Sequence, residues 1–298
     1  MANLKAIRIR ITSVRSTRQI TSAMKMVAAA RLRKAQDKII KLRPYVNKLQ
    51  EILGGLSQSL AETEVENVYS RISEEPEKVL IVVITSNRGL CGAFNTNVIK
   101  EARRLIEGYE KNSKNCDIKL LTIGKKGYDY FRKQPVTLYG EQNSLLDNVN
   151  FTDISNAAEM LMDSFVAKEF DKIELVYNQF KNAAVQNLTT ELFLPITLSE
   201  DDDSKEKALP ASIDYIYEPT AEEIVKSLIP KSLKIQFYKA VLDSFVAENG
   251  ARMTAMHMAT DNASTMIREL TLQYNKARQA AITNQILEVV SGAEALNG

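Results

Sequence analysis

The sequence holds no tryptophan, a single histidine, His257, and two cysteines, Cys91 and Cys116. Imidazole acid/base chemistry therefore has one candidate, and it sits in a helical stretch among Met253, Met256 and Met258 with no evident nucleophile nearby. It reads as a solvated or partner-facing histidine, and the methionines read as packing. The cysteines stand apart, without a CxxC or an adjacent His, so neither a metal site nor a disulfide framework is indicated. Both read as buried structural thiols. No apolar run approaches the roughly eighteen residues of a membrane span. The N-terminus "MANLKAIRIRITSVRS" lacks the apolar stretch and small-residue cleavage site of a secretory signal. It is Arg-rich like a transit peptide, but the same helical pattern continues past Leu42, so it reads as mature protein of the cytosol or its equivalent.

What is present is an ordinary globular composition, 45% hydrophobic and 26% charged over 298 residues, enough for one large domain or two smaller ones. The charge is unevenly placed. In residues 1–50 thirteen bases face one acid, Asp37, a net +12 that leaves −10 for the other 248 residues. A basic first sixth calls for an acidic partner, whether nucleic acid, anionic lipid or protein.

From Leu4, steps of three and four reach Ile7, Ile11, Val14, Arg18, Thr21, Lys25, Ala28, Leu32, Ala35, Ile39, Leu42, Val46, Leu49, Leu53, Leu56 and Leu60. This heptad seam is polar only at Arg18, Thr21 and Lys25. It predicts a coiled-coil helix over 1–60, kinked at Pro44 and weakened at Gly54-Gly55. The C-terminal segment, 211–298, is helical as well. Pro230 is expected to end a short helix there, and a second helix is expected from Lys231 to about Val290. Its rougher seam runs through Leu233, Phe237, Ala240, Ser244, Ala247, Ala251, Thr254, Met258, Asp261, Thr265, Arg268, Leu272, Asn275, Gln279, Ile282, Ile286 and Val289. Helices of about 85 and 90 Å do not fit a globule about 50 Å across. The two chain ends are expected to project as an antiparallel pair.

Between them, over 75–200, apolar runs alternate with helical patterns. Strands are predicted at Lys78–Thr85, Asp117–Gly124, Val136–Gly140 and Lys172–Phe180, with helices at Asn95–Asn112, Lys125–Lys133 and Asp153–Glu169. The alternation predicts a mostly parallel, Rossmann-like α/β domain, with Val185–Thr197 as an edge strand and the acidic run "SEDDDSKEK" as the linker out. The turn "SNRGLCGAFN" after the first strand supplies G-x-x-G only. It lacks the G-x-G-x-x-G of dinucleotide sites and the Lys-Ser/Thr of a P-loop. Leu90, Cys91 and Phe94 fill it with apolar groups, while Asn95 and Thr96 read as helix caps. No cofactor or metal is expected.

"IRIRITSVRSTRQITSAMKMVAAARLRKAQD", "SNRGLCGAFN", "ARMTAMHMATDNAS" and "YNKARQAAITNQILEVVSGA" resemble, in that order and across essentially the whole chain, the γ subunits of F-type ATP synthases. The resemblance implies a central-stalk rotor with no catalytic residues of its own. Its terminal helices would form an antiparallel coiled-coil shaft inside a ring of three α and three β subunits. Its foot would meet the ε subunit and the membrane c ring, coupling proton flow to ATP synthesis or hydrolysis. It also implies β-subunit contacts at Met24, Arg88, Cys91, Glu248, Arg252, Gln279 and Thr283 and c-ring contacts at Tyr217 and Glu218. Residues Ile286 to Leu296 would reach an apolar collar at the top of the ring. Gln285 stands where the family often has an acid, and the cysteine-bearing regulatory insert of the chloroplast form is missing. The implied place is the cytoplasmic face of a bacterial inner membrane, reached through partners, with no membrane span and no nucleic acid. Two other classes compete: a Rossmann-type nucleotide-binding enzyme, against which the missing fingerprint speaks, and a basic coiled-coil nucleic-acid binder. The latter's affinity would fall steeply with salt, and it leaves the C-terminal motif without a role.

Overall fold

A computed structural model describes residues 4–60, 68–71, 73, 76–112, 116–196 and 221–297. Tyr217, Glu218 and the acidic run "SEDDDSKEK" lie outside the described residues. The chain divides into two compact units, one formed by Met1–Ala30 with Arg252–Gly298, the other by Arg31–Ala251. Two helices run through both: α1, Leu4–Leu60, and α5, Ala221–Asn297.

The larger unit is built on a five-stranded sheet. Its strands are β1 (Lys78–Ile84), β2 (Asp117–Ile123), β3 (Thr137–Glu141), β4 (Lys172–Phe180) and β5 (Gln186–Leu194), in the order β3-β2-β1-β4-β5. The first four are parallel, and β5 runs antiparallel on β4 as the predicted edge strand. Helices α2 (Phe94–Asn112), α3 (Lys125–Phe131) and α4 (Phe151–Val166) make the crossovers. Central β1 is fully buried from Val79 to Ile84, as a strand covered on both faces must be. Val79, Ile81 and Val83 pack with Val98, Ala102 and Ile106 of α2 and Phe131 of α3. Leu80, Val82 and Ile84 alternate to the other face. The buried part of α5 meets β5 through Phe237 and Phe193, whose ring centroids are 5.6 Å apart. It meets α4 through Tyr238 and Phe151, edge to face at 5.4 Å, and through a Lys234–Glu159 ion pair at 3.1 Å.

Expectations at three places in the chain are corrected, and a fourth in the seam of α5. Pro230 does not divide the C-terminal helix, which runs unbroken from Ala221 to Asn297. The proline removes one backbone donor, and burial of Ile229 and Leu233 on either side holds the helix through it. Neither Asn95 nor Thr96 caps α2, because the helix begins ahead of both, at Phe94. Cys116 is only half-buried.

From Leu4 to Leu49 the seam of α1 is the predicted one; the side chains of Leu53, Leu56 and Leu60 lie outside the described ones. Thr21, Ala28, Leu32, Ala35 and Leu49 are buried, and Leu4, Ile7, Ile11, Val14, Arg18 and Lys25 are half-buried. The seam of α5 departs from expectation beyond Ala251. Met258, Asp261, Thr265, Arg268, Leu272, Asn275 and Gln279 are exposed, whereas Met256, Thr260, Ala263, Ile267, Leu270, Tyr274, Ala277 and Ala281 are shielded. Successive steps of four, from buried Arg252 to Met256 to Thr260, displace the stripe. This is a stutter that a strict heptad cannot follow.

Candidate functional site

The strand order reverses between β1 and β4, and a doubly wound sheet takes its ligand in the crevice at that point, beyond the carboxyl ends of the strands. Here side chains of the same unit occupy the crevice. Cys91 and Phe94, both buried, pack against Ala247 of α5, with Phe180 and Ala251 closing the cluster. Asn178 Nδ2 donates to the Phe94 carbonyl at 3.2 Å. Asn95 buckles the turn onto α2. Its Oδ1 accepts the Ser86 amide at 2.9 Å, and its Nδ2 donates to Ser86 Oγ at 2.8 Å and to Cys91 Sγ at 3.2 Å. Ser86 Oγ in turn donates to the Arg88 carbonyl at 2.7 Å.

A helix N-terminus is the other place where such sheets hold anions. The amides that open α3 are each bonded within the chain. Gly124 N donates to Asn143 Oδ1 at 3.1 Å, Lys125 N to Asn87 Oδ1 at 3.1 Å, Lys126 N to the Ser86 carbonyl at 3.0 Å and Gly127 N to Thr85 Oγ1 at 2.9 Å. Gly124 has φ 108°, and a Cβ there would collide with the Thr85 carbonyl. The end of the sheet that binds phosphates in other proteins is here an internal polar weld.

The turn nevertheless presents an outward surface. Arg88 is exposed, and Leu90 is 65% exposed with φ 64°, a left-handed conformation that a leucine adopts only at a cost of about 1–2 kcal/mol. An apolar side chain held outward under strain makes the turn a candidate contact surface. At the far end of β4, Tyr109 donates to Glu174 Oε1 at 2.8 Å and accepts from Lys172 Nζ at 2.8 Å. Burial, with Glu174 alongside, pushes the Tyr109 phenol up to about 12. Burial and the carboxylates of Asp117 and Asp171 likewise raise the Cys116 thiol, which keeps it protonated and unreactive.

In the smaller unit the upper part of α1 meets α5. Thr260 Oγ1 lies 2.9 Å from Thr21 Oγ1, joining the two seams. Arg8, Arg10 and Arg15 are exposed on α1, so the face turned outward is basic. His257 is exposed beside Asp261, 3.3 Å away. Among the described residues no cluster of metal-ligating side chains occurs, and no helix is long and apolar enough to cross a membrane.

A family model described as ATP synthase matches residues 3–296. The ATP synthase gamma chain of Flavobacterium johnsoniae is 55% identical over 298 residues, covering 100% of both chains. The chain belongs to the ATP synthase gamma chain family. The gamma chain of Geobacter metallireducens, 42% identical over 298 residues and again 100% of both chains, agrees. Among solved structures, a chain of the Tetrahymena thermophila mitochondrial ATP synthase central stalk and c ring shares 25% identity at TM-score 0.58, covering 80% of this chain and 99% of that one. A chain from the Euglena gracilis mitochondrial ATP synthase, in rotational state 3, shares the fold at TM-score 0.68 and 21% identity, covering 98% of this chain and 94% of that one.

The residues that the resemblance marks as expected contacts fall into three groups by accessibility. Arg88, Gln279 and Thr283 are exposed, as is Gln285. Met24 is half-buried. Cys91, Glu248 and Arg252 are 2%, 7% and 8% exposed, turned into the chain itself. Tyr217 and Glu218 lie outside the described residues. Leu90 was not singled out as a contact by sequence reasoning. Its signal is an apolar residue placed between Gly89 and Gly92 in a turn that needs positive φ.

Proposed function

We propose that this chain is the central-stalk rotor of an F-type ATP synthase. It carries no catalytic residues and couples ion flow through a membrane c ring to ATP synthesis or hydrolysis at β subunits. Full-length identity of 55% to a named gamma chain carries this reading. The paired terminal helices of the smaller unit would stand in a ring of three α and three β subunits. The α/β domain over 75–200 would form the foot that meets the ε subunit and the c ring, the latter through Tyr217 and Glu218. Bacterial relatives favour the cytoplasmic face of an inner membrane, with the chain held there through its partners.

The physical work is differential contact. A shaft moves a β subunit between conformations only by contacting one better than the other, and a shift from 1:99 to 99:1 takes about 5.5 kcal/mol. Exposed Arg88, Leu90, Gln279 and Thr283, with half-buried Met24, are suited to direct contact. Buried Cys91, Glu248 and Arg252 are suited to holding those residues in place. Charge complementarity between basic α1 and acidic partner loops supplies steering.

Mild-detergent purification of a tagged chain from membranes tests the reading, with subunit masses and ATP hydrolysis read on the same peak. Three α and three β per tagged chain with ATPase activity is the expected result. A lone monomer without partners would overturn it.

A further inference from the structure

We propose that the hydroxyls of Thr21 and Thr260 are positioning groups that fix the axial register of α1 against α5. The inference rests on the rotor reading for its functional consequence only. Thr21 is buried in the seam of α1, and its Oγ1 lies 3.1 Å from the Arg18 carbonyl as well as 2.9 Å from Thr260 Oγ1. Thr260 Oγ1 is also 2.7 Å from the Met256 carbonyl. Each hydroxyl has one hydrogen. The chain therefore runs either from Thr260 through Thr21 to Arg18 or from Thr21 through Thr260 to Met256, and both keep the cross-helix bond.

With Thr21 opposite Thr260, antiparallel helices set Lys25 opposite Met256, Arg18 opposite Ala263, Val14 opposite Ile267, Ile11 opposite Leu270, Ile7 opposite Tyr274 and Leu4 opposite Ala277. Those α5 residues, read off one bond, are the stripe shielded from solvent. Residues 282–293 are exposed throughout, as they must be once α1 has run out at Leu4.

The rest of the seam specifies this register weakly. Ala28, Ala263, Ala277 and Ala281 are small and interchangeable, and a slip of one heptad would still set apolar groups against apolar groups. Arg18 and Lys25, half-buried, have stems long enough to carry their charges to water in any register, so they do not choose one, and the threonines alone resist. A slip sets Thr21 against Met253 or Ile267 and Thr260 against Val14 or Ala28, and the cross-helix hydrogen bond of buried Thr21 and half-buried Thr260 is lost. One polar pair in an otherwise slippery seam is the known means of choosing a register at small cost in stability. For a rotor, register sets the height of Met24 on α1 relative to Gln279 and Thr283 on α5.

Disulfide trapping in the full-length chain reads the register directly. The pair I11C with L270C reports the register described, and I11C with A263C or with A277C reports a slip of one heptad either way. In the parent chain only the first pair should close, identified by peptide mass. In T21V/T260V, which keeps shape and removes both hydroxyls, the slipped products should rise about five- to thirtyfold. T21S/T260S should restore the parent pattern, and T21V and T260V singly provide a milder form of the same comparison. In the assembled complex the valine pair should lower ions moved per ATP hydrolysed while hydrolysis persists. A valine chain that still closes only I11C with L270C overturns the register assignment. Slipped products with unchanged coupling overturn the functional consequence. Failure of the parent to co-purify with α and β subunits sinks the rotor reading and leaves the cross-link result to decide the register.

Discussion

Gly250 of α5 faces the tip of the β4–β5 hairpin so closely that a Cβ built on it would stand 3.2 Å from Ala183 Cα and 3.4 Å from Phe180 Cε2. A glycine inside a helix costs about 1 kcal/mol relative to alanine, and the contact explains why it is tolerated here. The hairpin tip cannot withdraw easily, because Asn182 Oδ1 accepts both the Ala184 and Val185 amides, at 3.0 and 2.7 Å. G250A should therefore forgo the expected propensity gain, and G250V should lose roughly 1–3 kcal/mol by overpacking. Urea unfolding of the full chain measures both. A G250V chain as stable as the parent would refute the contact.

At the other glycine of consequence, Gly124, both the φ of 108° and the Thr85 carbonyl forbid a side chain. G124A should cost about 2–4 kcal/mol. T85V is the subtler probe, since it leaves the buried Gly127 amide without its acceptor and should cost about 1–3 kcal/mol. Equal stability of T85V and the parent would show that the polar weld contributes nothing.

Tyr109 gives a pH signature. Its pKa is raised in the folded chain to about 12 from the ordinary value of 10.0. The contribution to stability is therefore fully present below pH 10 and is lost as pH rises toward 12. Absorbance at the phenolate band, parent minus Y109F, should titrate near the upper end of that window in native buffer and near its lower end in denaturant. Coincident titrations would remove the burial argument.

Leu90 separates stability from function. L90G should relieve the left-handed strain and stabilise the chain by up to about 1 kcal/mol. In the assembled complex the same change should lower coupling, because an exposed apolar contact is lost. A variant both more stable and fully coupled would show that Leu90 touches no partner.

Much of the architecture is legible from period alone. The strands and crossover helices fall where apolar runs and helical patterns alternate, since β1, β2 and β4, the inner strands of this sheet, are largely continuous buried runs. The α1 seam could be read because strict heptads repeat from Leu4 to Leu49. The α5 seam could not, because the two steps of four through Met256 carry no local signature in a stretch where small residues fit either face. Pro230 misled for a related reason: propensity argues for a break, and tertiary burial of Ile229 and Leu233 overrides it. At the site, G-x-x-G was sufficient to doubt a phosphate loop. That Asn87, Asn143 and Thr85 would take the amides of α3 depends on groups 19 to 42 residues apart, which no local pattern links.

The bare end of α5 has a consequence for the supply of the protein in a cell. Beyond its overlap with α1 the helix exposes Ile286, Leu287, Val289 and Val290 at 58%, 57%, 72% and 49%. Exposed apolar clusters of this kind are what chaperones and proteases sample. A copy made in excess of its partners shows this tip continuously, whereas a copy assembled as proposed would bury it. Under the rotor reading abundance would thereby follow assembly, and a surplus copy would carry its own mark for removal.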